Sequence, residues 1–471
     1  MEGSKNPLFD EKDGEYMLEA VPMDKRRSTF AQVMVWVGFG YVVTGLIVGG
    51  LLAGHNQAGG LPPGQAFLAG VLGMSYLFLL TSFLGVAAQK TGFNLAIMSR
   101  FSFGAKGIVV PMFVMGLLTL GWFASITGMV GDIWGAFIGN PSGVIVFNPA
   151  TFGYPNVAPV TLEVFLGCLV WGGIFTITAV IGMGAIEKVA KVIAPLSMVA
   201  VFAVGAIYLS QAGGVGAFLQ KASGLGGLGI GTGVTAVVGS WIAGAIMGVD
   251  LFRFNKNVRA VFLGAASCFL LVNPVLHVVG YIGAIHIGDP NYVKWMLEVS
   301  VFVAIIGVII WTTSLWTTND AELYCNALYT GPALNAFGIK ANRKKLAIIC
   351  GIVGTILGSI GFYQIFFANF INTLGTMAPP LAAPILADYF IVRREKYSSR
   401  LINKQPVLRW AGIISFGIGA VFGFVFTYII SWPSDLPLGI VAMLLSFVIY
   451  LAIYKITPDK KADDILVKEL V

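Results

Sequence analysis

Charge is scarce in this chain: Asp, Glu, Lys and Arg make up 11% of its 471 residues, against about 25% in ordinary soluble domains. It has three histidines, and no Ser/His/Asp or Cys/His arrangement can be assembled from them. Its four cysteines lie far apart, in or near apolar runs, without metal-ligand spacing. We therefore expect neither a metal cluster nor a disulfide framework, and we expect the cysteines to serve packing. The four are Cys168, Cys268, Cys325 and Cys350.

Hydrophobic residues, by contrast, make up 57% of the chain and gather into twelve long runs. About 20 apolar residues cross a bilayer core of roughly 30 Å as a helix. Only helices and closed barrels satisfy their backbone there, and these runs are too long for barrel strands. We predict an all-α membrane protein with spans at 30–54, 63–89, 107–136, 162–182, 187–212, 231–251, 258–286, 295–324, 344–362, 365–392, 408–431 and 436–456.

Basic residues lie mainly on one side of these spans. Lys221 and Lys294 are the only ones in the odd-numbered gaps; the others lie at the termini, in the even-numbered gaps or at the adjoining span ends. Because basic loops stay cytoplasmic, we predict a multi-pass protein of the plasma (inner) membrane with both termini inside. The net charge of +7 then reflects sidedness, and no nucleic-acid partner is expected. The first 29 residues lack an apolar core, so no cleavable signal peptide is expected.

Spans 1–5 and 6–10 form two comparable halves, with spans 11 and 12 appended. This division predicts a cytoplasmic N-terminal segment, two transmembrane repeats, a final pair of spans and a cytoplasmic tail. Five helices separate corresponding spans, so the repeats would have inverted topology. The predicted boundaries are 1–29, 30–212, 213–392, 393–456 and 457–471.

The first helix of each half is rich in glycine, which weakens a helix by about 1 kcal/mol relative to alanine. Paired interrupted helices are a good sequence pointer to a transporter site at the bilayer midplane. The alternative is that glycine only allows close helix packing. The glycines are Gly38, Gly40, Gly45, Gly49 and Gly50 in span 1 and Gly239, Gly244 and Gly248 in span 6.

The glycine-rich stretch at 224–229 spells the dinucleotide-binding fingerprint. That fingerprint requires a strand before it and a soluble helix after it, whereas this stretch opens a membrane span. We predict a loop on the outer side with no nucleotide role.

Span 8 carries an unusual polar stretch, SLWTTND at 314–320. Three of its hydroxyls recur at spacings that place them on one helical face. Hydroxyl and carbonyl oxygens suit a small hard cation such as Na+, and span 1 would supply carbonyls where it unwinds. The alternative is that each hydroxyl bonds back to its own helix. The predicted Na+ ligands are the Ser314, Thr317 and Thr318 hydroxyls and the Gly38 and Tyr41 carbonyls.

Trp122 in span 3 and Trp241 in span 6 are candidates for a substrate platform. The flat face of an indole stacks on planar heterocycles, which is worth about 1–3 kcal/mol per base in nucleic-acid complexes. Either residue alone is more typical of a structural tryptophan. Their coincidence with the glycine-rich helices favours a shared site.

Other polar residues in the spans have simpler interpretations. Asp250 and Asp388 lie beside Arg253 and Arg393 at predicted cytoplasmic helix ends, which indicates ion pairs. His277 in span 7 is interpreted as a satisfied core residue.

Several motifs together resemble the bacterial cytosine permeases of the nucleobase–cation symporter family, which carries purines, pyrimidines, hydantoins and related compounds. The resemblance runs from about residue 20 to 455, with the motifs in the same order. It implies twelve spans and a LeuT-like inverted five-helix repeat, in agreement with the pattern of the spans. The motifs are RFSFG at 100–104, GWF at 121–123, VVGSW at 237–241, DLFRF at 250–254, WTTND at 316–320 and ADY at 387–389.

The resemblance also implies roles for individual residues. Substrate would stack between Trp122 and Trp241, Asn319 would hydrogen-bond the heterocycle, and the five oxygens named above would hold Na+. Thr119, Ser240 and Val42 complete the predicted substrate-binding residues.

This chain departs from the cytosine permeases within the same motifs. Thr119 stands where they carry Gln, Ala243 where they carry Ser, and Ser314 where they carry Asn; Val42 replaces an aromatic residue. A site discriminates strongly through the groups that hydrogen-bond its ligand. A related planar base, or a less polar heterocycle, is therefore as good a candidate as cytosine.

These observations predict a secondary active importer that couples inward Na+ to uptake of a nucleobase-like heterocycle by alternating access. Its outer gate would involve span 10 around Phe366 and Phe367. Small-molecule substrate and membrane lipid are the expected partners, and no organic cofactor is expected. The alternatives are proton coupling through Asp320 or Glu322, a membrane-embedded enzyme and a passive channel.

Overall fold

The computed structural model describes residue 16 and the ranges 19–42, 44–55, 59–155, 157–181 and 183–457, without the side chains of 183–194 and 368. Most of the predicted tail, and residues 1–15, 17 and 18 of the predicted N-terminal segment, lie outside these ranges. The α-helices are α1 (Thr29–Gly40), α2 (Thr44–Leu52), α3 (Pro63–Thr91), α4 (Leu95–Phe103), α5 (Val109–Ile138), α6 (Leu162–Ile181), α7 (Met183–Gln211), α8 (Val215–Ala222), α9 (Ile230–Phe252), α10 (Val258–Ala266), α11 (Asn273–His286), α12 (Tyr292–Val299), α13 (Val301–Ala336), α14 (Arg343–Ser359), α15 (Phe362–Met377), α16 (Pro379–Leu386), α17 (Trp410–Tyr428) and α18 (Leu438–Tyr454).

The other regular elements are short. Two π-helical turns, Ser267–Val272 and Ala387–Val392, continue α10 and α16 without a break in the chain's course. One antiparallel pair, β1 (Ile145–Phe147) and β2 (Val160–Thr161), lies between α5 and α6. The helices therefore carry the fold, as predicted.

Each of the twelve predicted spans coincides with a helix or a series of helices. In the described part of the chain, eight helices are long and apolar enough to cross a membrane. The number rises to as many as ten if each of two bent helix pairs counts as one span. The shortest are α14 and α18, with 17 residues each. At 1.5 Å per residue each is about 25 Å long, slightly less than a typical hydrocarbon core.

Span 1 is broken, as its glycines predict. α1 ends at Gly40 and α2 begins at Thr44, and the two meet at 53°. The Val42 amide would donate to the Gly38 carbonyl in a continuing helix, but it donates to the Gly40 carbonyl at 2.9 Å. The Gly38 carbonyl is thereby released from its helical donor. Asn273 supports the break by donating to the Gly40 carbonyl at 3.2 Å.

Span 6 is not interrupted, and this prediction was wrong. α9 runs without a break through all its glycines. A Cβ atom at Gly239 would lie 2.2 Å from the Ile371 carbonyl oxygen, and one at Gly248 would lie 3.2 Å from both Thr81 and Trp36. The glycines of α9 therefore allow close packing against neighbouring helices, which is the alternative that the sequence left open.

Span 8 differs from its predicted bounds at both ends. The chain from 292 to 299 forms the separate helix α12, and α13 then runs twelve residues beyond the predicted end at 324. The predicted end lies among the polar residues Asn319, Asp320, Glu322 and Asn326, which lower the local hydropathy, yet all four are buried inside the bundle. The polar stretch at 314–320 consequently lies at the middle of a 36-residue helix.

The packing of the helices repeats when the two halves are exchanged. α3 packs on α9 as α11 packs on α2, while α5 packs on α13 and α6 on α14. α7 lies against α1 and α13, and α15 occupies the corresponding place against α9 and α5. Because each half has an odd number of spans, halves related in this way have inverted topology. The broken span 1, α5, α9 and α13 meet at the centre of this arrangement.

The stretch at 224–229 lies in the loop between α8 and α9, as predicted. The Gly60 amide donates to the Gly226 carbonyl at 3.0 Å, which pins this loop to the segment before α3. A helix precedes the stretch, so it lacks the strand that a dinucleotide site requires.

Candidate functional site

A small cavity lies where span 1, α5, α9 and α13 meet. Its volume is about 20 Å³, close to the space that one water molecule needs and far below the roughly 300–1,000 Å³ of typical ligand pockets. This conformation is therefore closed around the site. The cavity is lined by Val42, Thr44, Trp122, Ile126, Ser240, Trp241, Gly244, Thr318 and Glu322.

Two larger cavities elsewhere offer less chemistry. One of about 430 Å³ opens at the ends of α15 and α17 and is lined largely by threonines and apolar residues. Another of about 220 Å³ is almost wholly apolar and contains His277. His277 is buried, as predicted, but its ring nitrogens have no hydrogen-bond partner among the described residues. Only the small central cavity combines aromatic rings, hydroxyls and a carboxyl group among these three.

The two predicted platform residues meet at the central cavity. Trp122 on α5 and Trp241 on α9 are each 4% exposed. The Trp241 ring is held edge-on by Phe39 and Phe269, with centroids 5.2 and 5.7 Å away. Such edge-to-face contacts contribute about 0.5–1.5 kcal/mol beyond burial. The Trp241 Nε1 donor has no hydrogen-bond partner in the part of the chain that the structure describes.

Aromatic residues of α15 cover Trp122. Phe367 and Phe370 approach its ring edge-on, with centroid distances of 5.8 and 5.6 Å. Phe366, the other predicted gate residue, is 45% exposed and packs instead near Tyr154. Of the two predicted gate residues, Phe367 is the one placed against the platform.

Hydrogen bonds connect three of the residues predicted to bind Na+, and a fourth lines the cavity. The Ser314 hydroxyl donates to the Tyr41 carbonyl at 3.0 Å, which joins α13 to the break in span 1. The Thr318 hydroxyl is buried without a partner among the described residues and lines the cavity. The Thr317 hydroxyl donates to the Ser314 carbonyl of its own helix at 3.0 Å. A hydroxyl that donates its proton keeps lone pairs for a cation.

The donor set fits a small hard cation. It contains neutral hydroxyl and carbonyl oxygens, among them a released carbonyl at Gly38 and an unpartnered hydroxyl at Thr318. Hard oxygen ligands of this kind suit Na+ rather than a transition metal. In the described residues, moreover, no group of three or more His, Cys, Asp or Glu side chains could hold a metal ion.

Two predicted substrate residues do not line the cavity. The Asn319 amide donates to the Thr127 hydroxyl at 3.1 Å, between α13 and α5. The Thr119 hydroxyl donates to the Met115 carbonyl at 2.8 Å and accepts from the Asn326 amide at 3.0 Å. Both side chains bind the two helices together in this conformation, so either would have to release its partner to reach a ligand. The Asn319 Oδ1 atom is buried without a partner in the described chain.

Ser240 lines the cavity as predicted, although its hydroxyl donates to the Val237 carbonyl of its own helix at 2.7 Å. Val42 is also at the wall. Both residues are therefore placed to contact a ligand, Val42 through apolar atoms and Ser240 through the lone pairs of its oxygen.

Glu322 is a cavity residue that the sequence did not assign to substrate. Its side chain is 4% exposed, and its Oε2 atom has no hydrogen-bond partner among the described residues. Asp320, by contrast, accepts from the Thr178 hydroxyl at 2.7 Å and so faces α6. Helical spacing could have distinguished Glu322 from Asp320 in the sequence, because Ser314, Thr318 and Glu322 recur every four residues and so lie on one face of the helix.

The acidic residues of the two predicted ion pairs near the helix ends, Asp388 and Asp250, have several further partners. Asp388 pairs with the Arg393 Nε atom at 2.8 Å, as expected, and also accepts from the Tyr397 hydroxyl at 2.6 Å. The Arg253 Nε atom donates to the Asp250 backbone carbonyl at 3.2 Å, and the Asp250 carboxylate accepts from the Tyr329 hydroxyl at 2.8 Å and from the Leu95 amide at 3.2 Å. Asp250 thus ties α9 to α13 and α4.

All four cysteines are free thiols. Cys168, Cys268 and Cys325 are buried and Cys350 is partly buried. Their positions agree with the packing role expected from the sequence.

Comparison with known proteins gives matches along most of the chain. Residues 20–407 match the family model described as "Permease for cytosine/purines, uracil, thiamine, allantoin". The cytosine permease of Escherichia coli (strain K12) is 28% identical over 424 residues, which cover 88% of this chain and 89% of that protein. The hydantoin permease of Microbacterium maritypicum is 24% identical over 412 residues, 83% of this chain and 77% of that protein.

A solved structure shares the fold. It is that of Mhp1, a nucleobase-cation-symport-1 family transporter, in a closed conformation with bromovinylhydantoin bound. The two superpose with a TM-score of 0.73 at 19% identity, covering 97% of this chain and 99% of that one. The predicted fold class, with its inverted repeat of five helices, is thereby confirmed.

Proposed function

We propose a specific transport function for this chain, which belongs to the family of permeases for cytosine/purines, uracil, thiamine and allantoin. The family predicted from the motifs is confirmed, and the chain is a multi-pass membrane transporter rather than an enzyme. Its substrate, in our proposal, is a planar nitrogen heterocycle of the nucleobase or hydantoin class, imported together with Na+.

The observation that carries this proposal is the meeting of two indole rings at one buried cavity. Trp122 and Trp241 come from opposite halves of the inverted repeat, so a planar ligand between them would contact both halves at once. Stacking on aromatic rings tolerates many bases, and nearby polar groups then select among them. The closed cavity must widen on at least one side before a heterocycle can enter.

Alternating access follows from this geometry. Substrate would enter from outside when α15 moves Phe367 away from Trp122, and it would leave when the cytoplasmic contacts around Asp250 open. A ligand shifts such an equilibrium only by binding one state more tightly than the other. A heterocycle between α5 and α9 would bind one state more tightly, since Trp122 and Trp241 can contact it together only when the two halves are close.

Na+ coupling is proposed from the oxygens between the broken span 1 and α13. The Gly38 and Tyr41 carbonyls and the Ser314, Thr317 and Thr318 hydroxyls would hold the ion. Bound there, Na+ would fix the position of span 1 relative to α13 and so favour one state of the cavity. Thr318 lines both the ion site and the cavity, which gives a direct physical route from ion binding to substrate binding.

Uptake into proteoliposomes tests this proposal. We expect radiolabelled nucleobases or hydantoins to accumulate when an inward Na+ gradient is imposed, and to equilibrate without it. Replacing NaCl by choline chloride at constant pH removes only the cation. Accumulation that is unaffected by this replacement would contradict Na+ coupling, and the absence of uptake of any planar heterocycle would contradict the substrate class.

Proton coupling is a second candidate because the Glu322 carboxyl lines the cavity. It predicts accumulation driven by an inward proton gradient in Na+-free buffer. A passive channel, in contrast, would equilibrate solute and never concentrate it.

We place the protein in the plasma (inner) membrane with both termini in the cytoplasm, on the strength of its basic loops. A fluorescent protein fused after residue 471 should fluoresce, whereas alkaline phosphatase fused there should be inactive. The reverse result would contradict this orientation.

A further inference from the structure

Glu322 stands out at the wall of the central cavity. It is more than nine-tenths buried, and its Oε2 atom has no hydrogen-bond partner among the described residues. Buried polar groups in proteins are nearly always hydrogen-bonded, and an exception requires an explanation. Ionisable groups at membrane depth are rare and usually mark a ligand or ion pathway.

The surroundings of Glu322 limit what could satisfy it. Trp241 and Thr318 also line the cavity, and neither the Trp241 Nε1 donor nor the Thr318 hydroxyl has a partner in the described chain. Thr119 and Asn319 are engaged between α5 and α13 and do not reach this wall. The strongest acceptor available to a ligand in the cavity is therefore the Glu322 carboxyl group.

We propose that Glu322 selects heterocycles that carry an exocyclic amino group beside a ring nitrogen. This inference rests on the proposed function, since it assumes that a planar heterocycle stacks at Trp122 and Trp241. One carboxyl oxygen accepts a hydrogen bond from the amino N–H. The other accepts a hydrogen bond from the ring nitrogen, which carries the proton while the Glu322 carboxyl group is ionised and therefore accepts at both oxygens.

The same geometry disfavours the corresponding oxo compounds. Replacing the amino group by a carbonyl sets an oxygen acceptor against a carboxyl oxygen, and the amino donor is lost. A site that hydrogen-bonds a particular group rejects the analogue lacking it, because the polar atoms of the site are left unpaired. Specificity then arises partly from repulsion.

Glu322 and Asp320 form a natural matched pair for a test. Both are buried carboxyls on α13, two residues apart. Asp320 accepts from Thr178 on α6 and does not line the cavity. A substitution at Asp320 therefore controls for loss of buried charge without altering the cavity wall.

The experiment measures dissociation constants by calorimetry for two amino/oxo pairs, cytosine against uracil and adenine against hypoxanthine. Wild-type protein in saturating NaCl should bind the amino member of each pair at least about tenfold more tightly. In Glu322→Gln this ratio should fall to within about threefold, because an amide can rotate to match either edge. In Asp320→Asn the ratio should stay at the wild-type value.

Equal affinities within each pair for the wild type, or an unchanged ratio in Glu322→Gln, would overturn the inference. If Glu322→Gln does not yield monodisperse protein, the ratio of amino to oxo affinities in the wild type still tests the inference. Trp122→Ala separates this inference from the proposed function. Heterocycle binding that depends on Trp122 but lacks the amino preference refutes only the role of Glu322. Failure of the wild type to bind any of the four bases refutes the proposed function with these ligands as well.

Discussion

The Ser314 hydroxyl lies 3.0 Å from the Tyr41 carbonyl oxygen, and this hydrogen bond joins the middle of α13 to the break in span 1. The two residues belong to opposite halves of the inverted repeat. Contact between them brings the Ser314 hydroxyl next to the non-helical backbone at the break in span 1. This point is where the proposed ion site meets the break in span 1.

Ser314→Ala should raise the Na+ concentration needed for half-maximal uptake by about two- to tenfold, the range expected for losing one neutral polar interaction. Uptake at saturating Na+ should change little. Thr313→Ala is the matched control, because the Thr313 hydroxyl bonds the Ile309 carbonyl of its own helix and is not a proposed ligand. A Na+ dependence unchanged in Ser314→Ala would argue against this ion site.

Trp122→Ala should weaken heterocycle binding by about tenfold or more, since stacking on one aromatic ring contributes about 1–3 kcal/mol. Trp122→Phe keeps a ring and should lose less. Trp410, which is 48% exposed on α17, provides a control in Trp410→Ala. Dissociation constants from calorimetry would check the order, and wild-type affinity in Trp122→Ala would contradict the platform.

Gly239→Ala should destabilise the protein by about 1–3 kcal/mol, the usual cost of overpacking. Its Cβ atom would lie 2.2 Å from the Ile371 carbonyl oxygen, and backbone cannot yield as a side chain can. Gly417→Ala on α17 is the control, because a Cβ atom there meets nothing within 4 Å and alanine favours the helix. Melting temperatures in detergent should fall for the first variant and hold or rise for the second.

Asp388→Ala should be far more damaging than Glu395→Ala. Asp388 is fully buried and holds Arg393, Tyr397 and Tyr450. Removing one partner of a buried pair costs on the order of 3–5 kcal/mol. Glu395 pairs with Lys90 at an exposed site, where ion pairs contribute at most about 1 kcal/mol. Similar melting temperatures for the two variants would contradict this ranking.

The sequence predicted the membrane spans well, because they depend on a property that the chain carries locally. Long apolar runs must become buried helices in a bilayer, whatever they pack against. Trp122 and Trp241 were recognised as candidates for a platform through the glycine-rich helices and through family motifs.

The features that the sequence could not predict depend on which residues pack together in the folded protein. A glycine at position 239 can either interrupt its own helix or allow a neighbouring helix to pack closely. Only the position of the Ile371 carbonyl beside it shows that close packing is its role. Hydropathy likewise ended span 8 too early, since it cannot distinguish polar residues in water from polar residues inside a bundle. The same limit applies to Thr119 and Asn319. The side chains that hydrogen-bond them, Asn326 and Thr127, come from distant parts of the chain, so the sequence could not predict these contacts.

Glu322 was recognised as an ionisable residue but not as part of the cavity. Its helical spacing from Ser314 and Thr318 was visible, yet which face of α13 meets Trp241 follows only from the packing of the two halves. The resemblance supplied no role for this position.

The space left between Trp122 and Trp241 has a consequence for the cell's energy supply. A chamber of about 20 Å³ cannot hold the unbroken file of water molecules along which protons and sodium ions would leak. An idle copy in this conformation should therefore preserve the membrane voltage. The cell could then keep many copies ready in its membrane, and under the proposed Na+ coupling ion flow would be confined to turnovers that carry cargo.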